Sequence, residues 1–345
     1  MRVVVTGASG NVGTALRRVL ADAGDAVVGI ARRVPPGSPD WVTCDIGAPA
    51  AEAVLARAFA EADAVVHLAW AIQPASGEPD MRRTNIGGSE HVLRAAERAG
   101  VPHVVVASSV AAYTPSAVRT RRVTEDWPCG GVPGSAYSLQ KAELERMLDG
   151  RAGVARVRPC AVVQPDAGAQ LDRWVLSPLI PPGVVGRRWV PVPLWRGLRA
   201  QVVHAEDVAR AIALILRRHA LGAFNVAADP PLPASELARA FGGFLVPVPL
   251  PVLRGLAWPT WRVGLQPMHP GWLRLADQAC LMDCARLRAL GWTPAHGPRE
   301  ALETFVAAIA EGRGAWGPLA PRDGGRWRRL GWGRPVHQSQ QGEMR

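Results

Sequence analysis

Lysine is almost missing from this 345-residue chain: Lys141 stands alone among 40 basic residues, and Tyr113 and Tyr137 are the only tyrosines. Arginine serves equally well at most solvated positions, so a site that keeps lysine is one where a compact ammonium is wanted. Long apolar runs are missing too. No stretch approaches the roughly 18 residues needed to span a bilayer. No basic leader with an apolar core precedes the strand that begins at Arg2-Val3-Val4-Val5, so a cytoplasmic protein without a membrane span is expected. The cysteines Cys44, Cys129, Cys160, Cys280 and Cys284 are odd in number and irregularly spaced. They support neither a disulfide framework nor a zinc site. His67, His91 and His204 form no ligand pattern, so no metal is expected, and a Gly-x-Ser-x-Gly nucleophile elbow is absent.

The formal charge of +11 raises nucleic acid as a partner. The arginines are scattered, though, in doublets such as Arg17-Arg18 and Arg217-Arg218 that fit solvated helix faces, and no nucleic-acid-binding motif accompanies them. Nucleic acid is therefore not expected as a partner. Residues 312–345, where Arg326, Arg328 and Arg329 alternate with Trp327 and Trp332, read as a flexible basic tail.

What the chain does have is alternation. Apolar strands are expected near 2–6, 27–30, 42–44, 64–68, 103–107 and 154–157, with helices at 14–23, 50–60, 84–99 and 136–148 between them. Strands apolar on both faces mean a parallel sheet covered on both sides, an α/β fold. After Pro165 prolines and tryptophans break the pattern. It returns with Val202-Val203, a helix at 205–217 and a strand at 223–227, and helices follow near 234–241 and 298–310. Residues 1–165 plus about 201–228 are expected to form the core. Residues 166–200 plus about 229–311 are expected to form a smaller substrate-binding region.

Between the first strand and helix lies Gly7-Ala8-Ser9-Gly10-Asn11-Val12-Gly13. Glycines there allow a tight turn and close approach of a pyrophosphate to the helix N-terminus, which marks a dinucleotide site at Gly7, Ser9, Gly10, Asn11, Val12 and Gly13. An NAD site usually has a carboxylate at the end of the second strand. Here Arg32-Arg33 stands there, suited to a 2′-phosphate, so NADP is the expected cofactor, with NAD possible. Asp45 and Ile46 follow the third strand and are candidates for the adenine edge.

Tyr137-x-x-x-Lys141 places a phenol and an ammonium one turn apart on one helix face. Lys141 is expected to bind the nicotinamide ribose and to lower the Tyr137 pKa, leaving the phenol able to exchange a proton with a substrate oxygen. Ser108 and Ser109 end the strand at 103–107, Ser109 suited to the substrate oxygen and Ser108 to the cofactor. Asn85, ahead of Gly87-Gly88, reads as a helix cap.

Together these segments resemble the extended branch of the short-chain dehydrogenase/reductase superfamily, the NAD-dependent epimerase/dehydratase family. The likeness also rests on His67-Leu68-Ala69, Arg158-Pro159, His204-x-x-Asp207, Phe224-Asn225-Val226 and Leu290-Gly291-Trp292-x-Pro294, and covers about residues 1–310. It implies a Rossmann-like core and a Ser109, Tyr137, Lys141 triad. It also implies cofactor contacts at Leu68, Ala69, Asn85, Pro159, Ala161 and Val162, and a homodimer through helices 84–99 and 136–148. The chain departs from the nucleotide-sugar pattern with Cys160 in place of asparagine, Ala200 in place of arginine and Thr114 after Tyr113. Trp70, Val110, Trp174, Trp258 and Trp261 instead suggest a small-molecule pocket with flat apolar walls. The expectation is an NADPH-preferring oxidoreductase acting on a ketone or secondary alcohol. The alternatives are a nucleotide-sugar epimerase or dehydratase that recycles its cofactor, and a non-catalytic cofactor-binding regulator.

Overall fold

The computed structural model describes residues 1–34, 38–72, 81–170, 177 and 184–320. Seven strands form the central sheet: β1 (Arg2–Thr6), β2 (Ala26–Ala31), β3 (Trp41–Thr43), β4 (Ala64–His67), β5 (Val104–Ala107), β6 (Val154–Pro159) and β7 (Gly222–Val226). All neighbouring pairs are parallel, in the order β7-β6-β5-β4-β1-β2-β3. The chain leaves β3 at one edge and re-enters as β4 beside β1. That reversal opens a crevice at the carboxyl ends of β1 and β4, where open α/β sheets take their ligands.

Alternate residues of one strand feed opposite cores, as a two-residue side-chain period requires. Val3 and Val5 pack with Leu16 and Leu20 of α1 (Asn11–Asp22) and with Ile212 and Ile215 of the helix Ala205–Arg217. Val4 faces the other layer, built from Leu55 and Phe59 of α2 (Ala51–Phe59), Val92 and Leu93 of α3 (Gly88–Arg98), and Leu144 and Leu148 of α4 (Ala136–Leu148). With Ala205–Arg217 as α5, five helices sandwich the sheet.

A separate apolar cluster joins Val163, Leu198, Val202, Leu237, Leu302 and Phe305. It lies among α6 (Ala234–Ala240), the helix α10 (Pro298–Glu311) and short strand pairs. Between them come α7 (Leu250–Arg262), α8 (Pro270–Gln278) and α9 (Ala285–Ala289).

Three expectations need correction. Val202–His204 does not rejoin the central sheet; it pairs in parallel with Ala161–Val163 in a two-stranded ladder of its own. The helix expected at 84–99 is helical throughout but not regular, being wound as a π turn over Arg83–Gly87 and as an α-helix from Gly88. The tail expected to be flexible from 312 is folded as far as 320. There Leu319 is fully buried and Trp316 meets Trp41 edge-on, with ring centroids 5.2 Å apart.

Candidate active site

Gly7 turns the chain at the end of β1 with φ of +71°, and a side-chain carbon on it would lie 2.6 Å from the Ala69 nitrogen. Both facts demand glycine. Gly13 lets α1 close on the turn, since a Cβ there would sit 2.3 Å from the Gly7 carbonyl oxygen. Gly10 differs. A Cβ on it would meet only that carbonyl, at 3.2 Å, with open space elsewhere. Gly10 is also the N-cap of α1, and among the described residues no side chain caps the helix. The first-turn amides and the positive end of the helix dipole thus face a space kept clear of side chains, which fits a pyrophosphate.

The turn is held by a buried chain of hydrogen bonds. Ser89 donates to the Asn85 carbonyl (2.6 Å), so its oxygen accepts from His67 Nε2 (2.8 Å). That tautomer leaves His67 Nδ1 to accept from Thr6 (2.7 Å). Burial, with the nearby Lys141 charge, pushes His67 down to about 3, keeping the ring neutral. Asn85 is not a helix cap: its side chain accepts from Ala71 N (2.7 Å) and donates to the Ala71 carbonyl (2.9 Å) and Gln140 (2.7 Å). It locks the segment after β4 to α4.

The remaining cofactor candidates are spread around this turn. Leu68 donates from its backbone to the Thr6 carbonyl, and Ala69 to the Thr6 hydroxyl. Arg32 and Arg33 are exposed at the end of β2. Asp45 is engaged by Arg83 (2.8 Å) and by the Gly47 amide (3.0 Å), which together outweigh its partial burial and hold its carboxyl below the usual range. Ile46 is buried, with its side chain packed against Gly88. Pro159 ends β6, while Val162 gives its carbonyl to the Asn11 side chain (3.0 Å). Ala161 starts the strand beside it and is exposed. Among the described residues, the buried Asn11 Oδ1 beside this turn has no hydrogen-bond partner, while the Ser108 hydroxyl lies near enough to Glu145 to help hold that carboxyl down.

Ser135 caps α4 and sets the register that brings Tyr137 and Lys141 to the sheet edge. Ser109 N-caps the short turn Val110–Ala112, accepting from Ala111 N (3.1 Å), and its hydroxyl is near enough to the Tyr137 phenol to oppose the effect of its burial. The structure thus brings Ser109 and Tyr137 together, with Lys141 one turn along. One expectation is overturned. Burial pushes the Tyr137 phenol up and only the Ser109 hydroxyl opposes it. The Lys141 ammonium is turned elsewhere, donating to the Ala107 carbonyl (2.7 Å) and lying 3.5 Å from the Trp70 ring centroid. Burial, opposed by Glu145, brings Lys141 down to about 7.

The tryptophans divide. Trp70 is a wall of this site through its contact with Lys141. Trp258 is not: it lies on α7 with 59% of its surface exposed. Trp261 meets His269 edge-on (centroids 4.8 Å apart) and is not brought to the triad. Trp174 lies outside the described residues. The wall that sequence reasoning missed is Trp272 on α8, whose ring is tilted 33° to that of Tyr137 with centroids 4.9 Å apart. His269 as N-cap followed by Pro270 at the first helical position was the available signal for that helix.

His204, Glu206 and His296 bring ligand atoms within 4.8 Å of one another. His204 Nδ1 accepts the Glu206 amide, however, so its Nε2 carries the proton and has no lone pair to offer. The role of this motif is structural. Asp207 accepts from the backbone amides of Ala295 (2.8 Å) and His296 (3.1 Å), clasping the Trp292-x-Pro294 segment to α5.

A model of the NAD dependent epimerase/dehydratase family matches residues 3–227, and the chain belongs to that family. An uncharacterized protein of Mycobacterium tuberculosis is 32% identical over 320 residues, covering 90% of this chain and 30% of the relative. The chain therefore spans about a third of the length of that relative. Among solved structures, a Thermus thermophilus UDP-glucose 4-epimerase in complex with NAD superposes with a TM-score of 0.65. It is 23% identical and covers 90% of this chain and 99% of its own. A human epimerase family protein with NADPH also reaches 0.65, at 21% identity, covering 90% and 99%.

Proposed function

We propose that this chain is an NADP-preferring oxidoreductase that interconverts a flat, largely apolar ketone and its secondary alcohol, with reduction favoured. The observation that carries the reading is the Tyr137 phenol at the sheet edge, stacked on Trp272 beside Ser109 and pushed up by burial. A phenol held in its neutral form is a proton donor, which is what a ketone oxygen needs as it becomes an alcohol. Ser109 orients that oxygen. Trp70 against Lys141 and Trp272 against Tyr137 favour a planar apolar substrate over a sugar.

The Gly7–Gly13 turn and the α1 amides would hold the pyrophosphate. Lys141 and Asn11 would hold the nicotinamide half, with the Ser108 hydroxyl beside them. A bound nicotinamide supplies the hydride. Tyr137 supplies the matching proton, and Lys141, freed from the Ala107 carbonyl, would bind the ribose. Arg32 and Arg33, exposed where a carboxylate would select NAD, support the preference for NADP. Pairing through α3 and α4, the latter with Leu139 exposed, would make a homodimer.

The test is NADPH oxidation followed optically against a panel of cyclic and aromatic ketones. Turnover with stoichiometric loss of NADPH is expected. The family description carries a second reading, epimerisation or dehydration with the cofactor restored in each cycle. Mass spectrometry of the native protein separates the two: a tightly retained, partly reduced cofactor speaks for recycling, and empty protein that binds NADPH reversibly speaks for reduction. Tight NADPH binding with no turnover on any substrate would leave a cofactor-binding regulator. Separately, Arg32→Ala is expected to weaken NADPH by about tenfold, equivalent to about 1.4 kcal/mol, and to leave NADH within twofold. Equal effects on both in a fluorescence titration would remove the phosphate contact.

A further inference from the structure

Helix α7 breaks the rule that a surface helix hides its apolar face. None of its thirteen residues is buried. Its half-covered positions, Leu250, Leu253, Ala257, Thr260 and Trp261, follow helical spacing and mark the side turned to the protein. The opposite side is apolar as well: Val252, Leu256, Trp258 and Val263 are 49, 56, 59 and 68% exposed, and Leu265 just beyond is 45% exposed. The large exposed apolar residues of the described chain number eleven, and five of them fall in this run of fourteen positions, which makes a patch and not scatter.

Along the sequence that carries the patch the charge has one sign. From Leu237 to Ala276 the sequence contains no aspartate or glutamate, but it does contain Arg239, Arg254, Arg262 and Arg274. From Arg173 to Ala205 carboxylates are again absent, while Arg188, Arg196 and Arg199 are present. The two segments meet where Pro191–Leu194 pairs in parallel with Phe244–Pro247, the strand that leads into α7. Of the arginines on the helix, Arg254 reaches Asp277 (3.0 Å), and Arg262 lies on the outer side among the exposed apolar residues.

We infer that α7 is a membrane-surface helix that docks this region on a bilayer of anionic phospholipid. Exposed valine, leucine and tryptophan interleaved with arginine, on segments whose own sequence holds no carboxylate, is the chemistry of the headgroup boundary, where apolar side chains enter the acyl layer and guanidinium groups meet phosphate. A nucleic acid or an acidic protein would use the arginines and leave the valines and leucines unexplained. At about 1.5 Å per residue α7 is roughly 20 Å long, too short to span the roughly 30 Å hydrocarbon layer, so the attachment is peripheral. The next helix, α8, carries Trp272 against Tyr137, so a docked molecule would hold its catalytic crevice close to the lipid.

The test is co-sedimentation of the full chain with phosphatidylglycerol vesicles and, separately, with phosphatidylcholine vesicles. At least tenfold stronger partition onto the anionic vesicles is expected. The double variant Leu256→Glu, Val263→Glu changes two exposed side chains, so NADPH binding and circular dichroism should match the unaltered chain while partition falls by tenfold or more. Failure to prefer the anionic vesicles, or unchanged partition in the double variant, overturns the inference. So does a concentration-dependent dimer in sedimentation that the double variant dissolves, which would give the face to a second copy of the chain.

Discussion

Tyr137→Phe is expected to cut turnover by about 10²- to 10⁴-fold, the usual contribution of a positioned acid or base, while NADPH affinity stays within a few fold. The phenylalanine ring keeps the stack against Trp272 and the helix keeps its register, so only the hydroxyl that meets Ser109 is lost. Because a proton is delivered only as the substrate oxygen gains charge, kcat and kcat/KM should fall together and KM should hardly move. Steady-state kinetics with the best ketone, beside a cofactor titration, reads both halves. Turnover that survives the substitution would take proton transfer away from Tyr137 and the proposed chemistry with it.

The largest effect on stability is expected at Glu145, one turn beyond Lys141 on α4. Its carboxylate takes both arms of the Arg158 guanidinium, at 2.7 and 2.9 Å, with both side chains almost wholly buried. Arg158 also donates to the Tyr113 hydroxyl (2.9 Å) and the Glu125 carbonyl (2.7 Å), and Tyr113 passes its own proton to Asn225 (2.7 Å). Glu145→Gln leaves that guanidinium buried without a counter-charge. A loss of about 3–5 kcal/mol is expected in denaturant unfolding, the range for breaking one side of a buried pair. The pH dependence has a definite sign. Burial alone would push Glu145 up, yet Arg158 holds it below the ordinary glutamate range. Its stabilisation is therefore full above about pH 4.3, the unfolded-state value, and is lost as pH falls through the lower folded-state value. The variant should lack that acid limb. A loss under about 1 kcal/mol would mean that water reaches Arg158 and that the pair is not dry.

The central sheet was legible because its signal is redundant. Val3, Val4 and Val5 are apolar on both faces, and each apolar run is followed by a helical period, so propensity and pattern agree. The glycine turn and the Tyr137–Lys141 spacing were legible for a different reason: their chemistry depends on residue type, and the background composition made lysine and tyrosine rare. Contacts made over long sequence distances were not legible. Asn85 looked like a helix cap because nothing local reveals that its side chain spans to Ala71 and Gln140. Lys141 was expected to act on the phenol, yet the Ala107 carbonyl and the Trp70 ring claim its charge. The tryptophans show the same limit. Composition announced flat walls, but only the packing of α8 selects Trp272 and leaves Trp258 facing outward.

The folded C-terminal segment has a practical consequence. Trp316 rests on Trp41, and a side-chain carbon on Gly317 would come 3.8 Å from the Ser9 Cβ in the glycine turn. Whatever polypeptide continues past residue 320 thus sets out close to the glycine turn that leads into α1. A fluorescent protein appended there would hang at the mouth of the crevice, making it a convenient reporter of occupancy and a poor choice of purification handle.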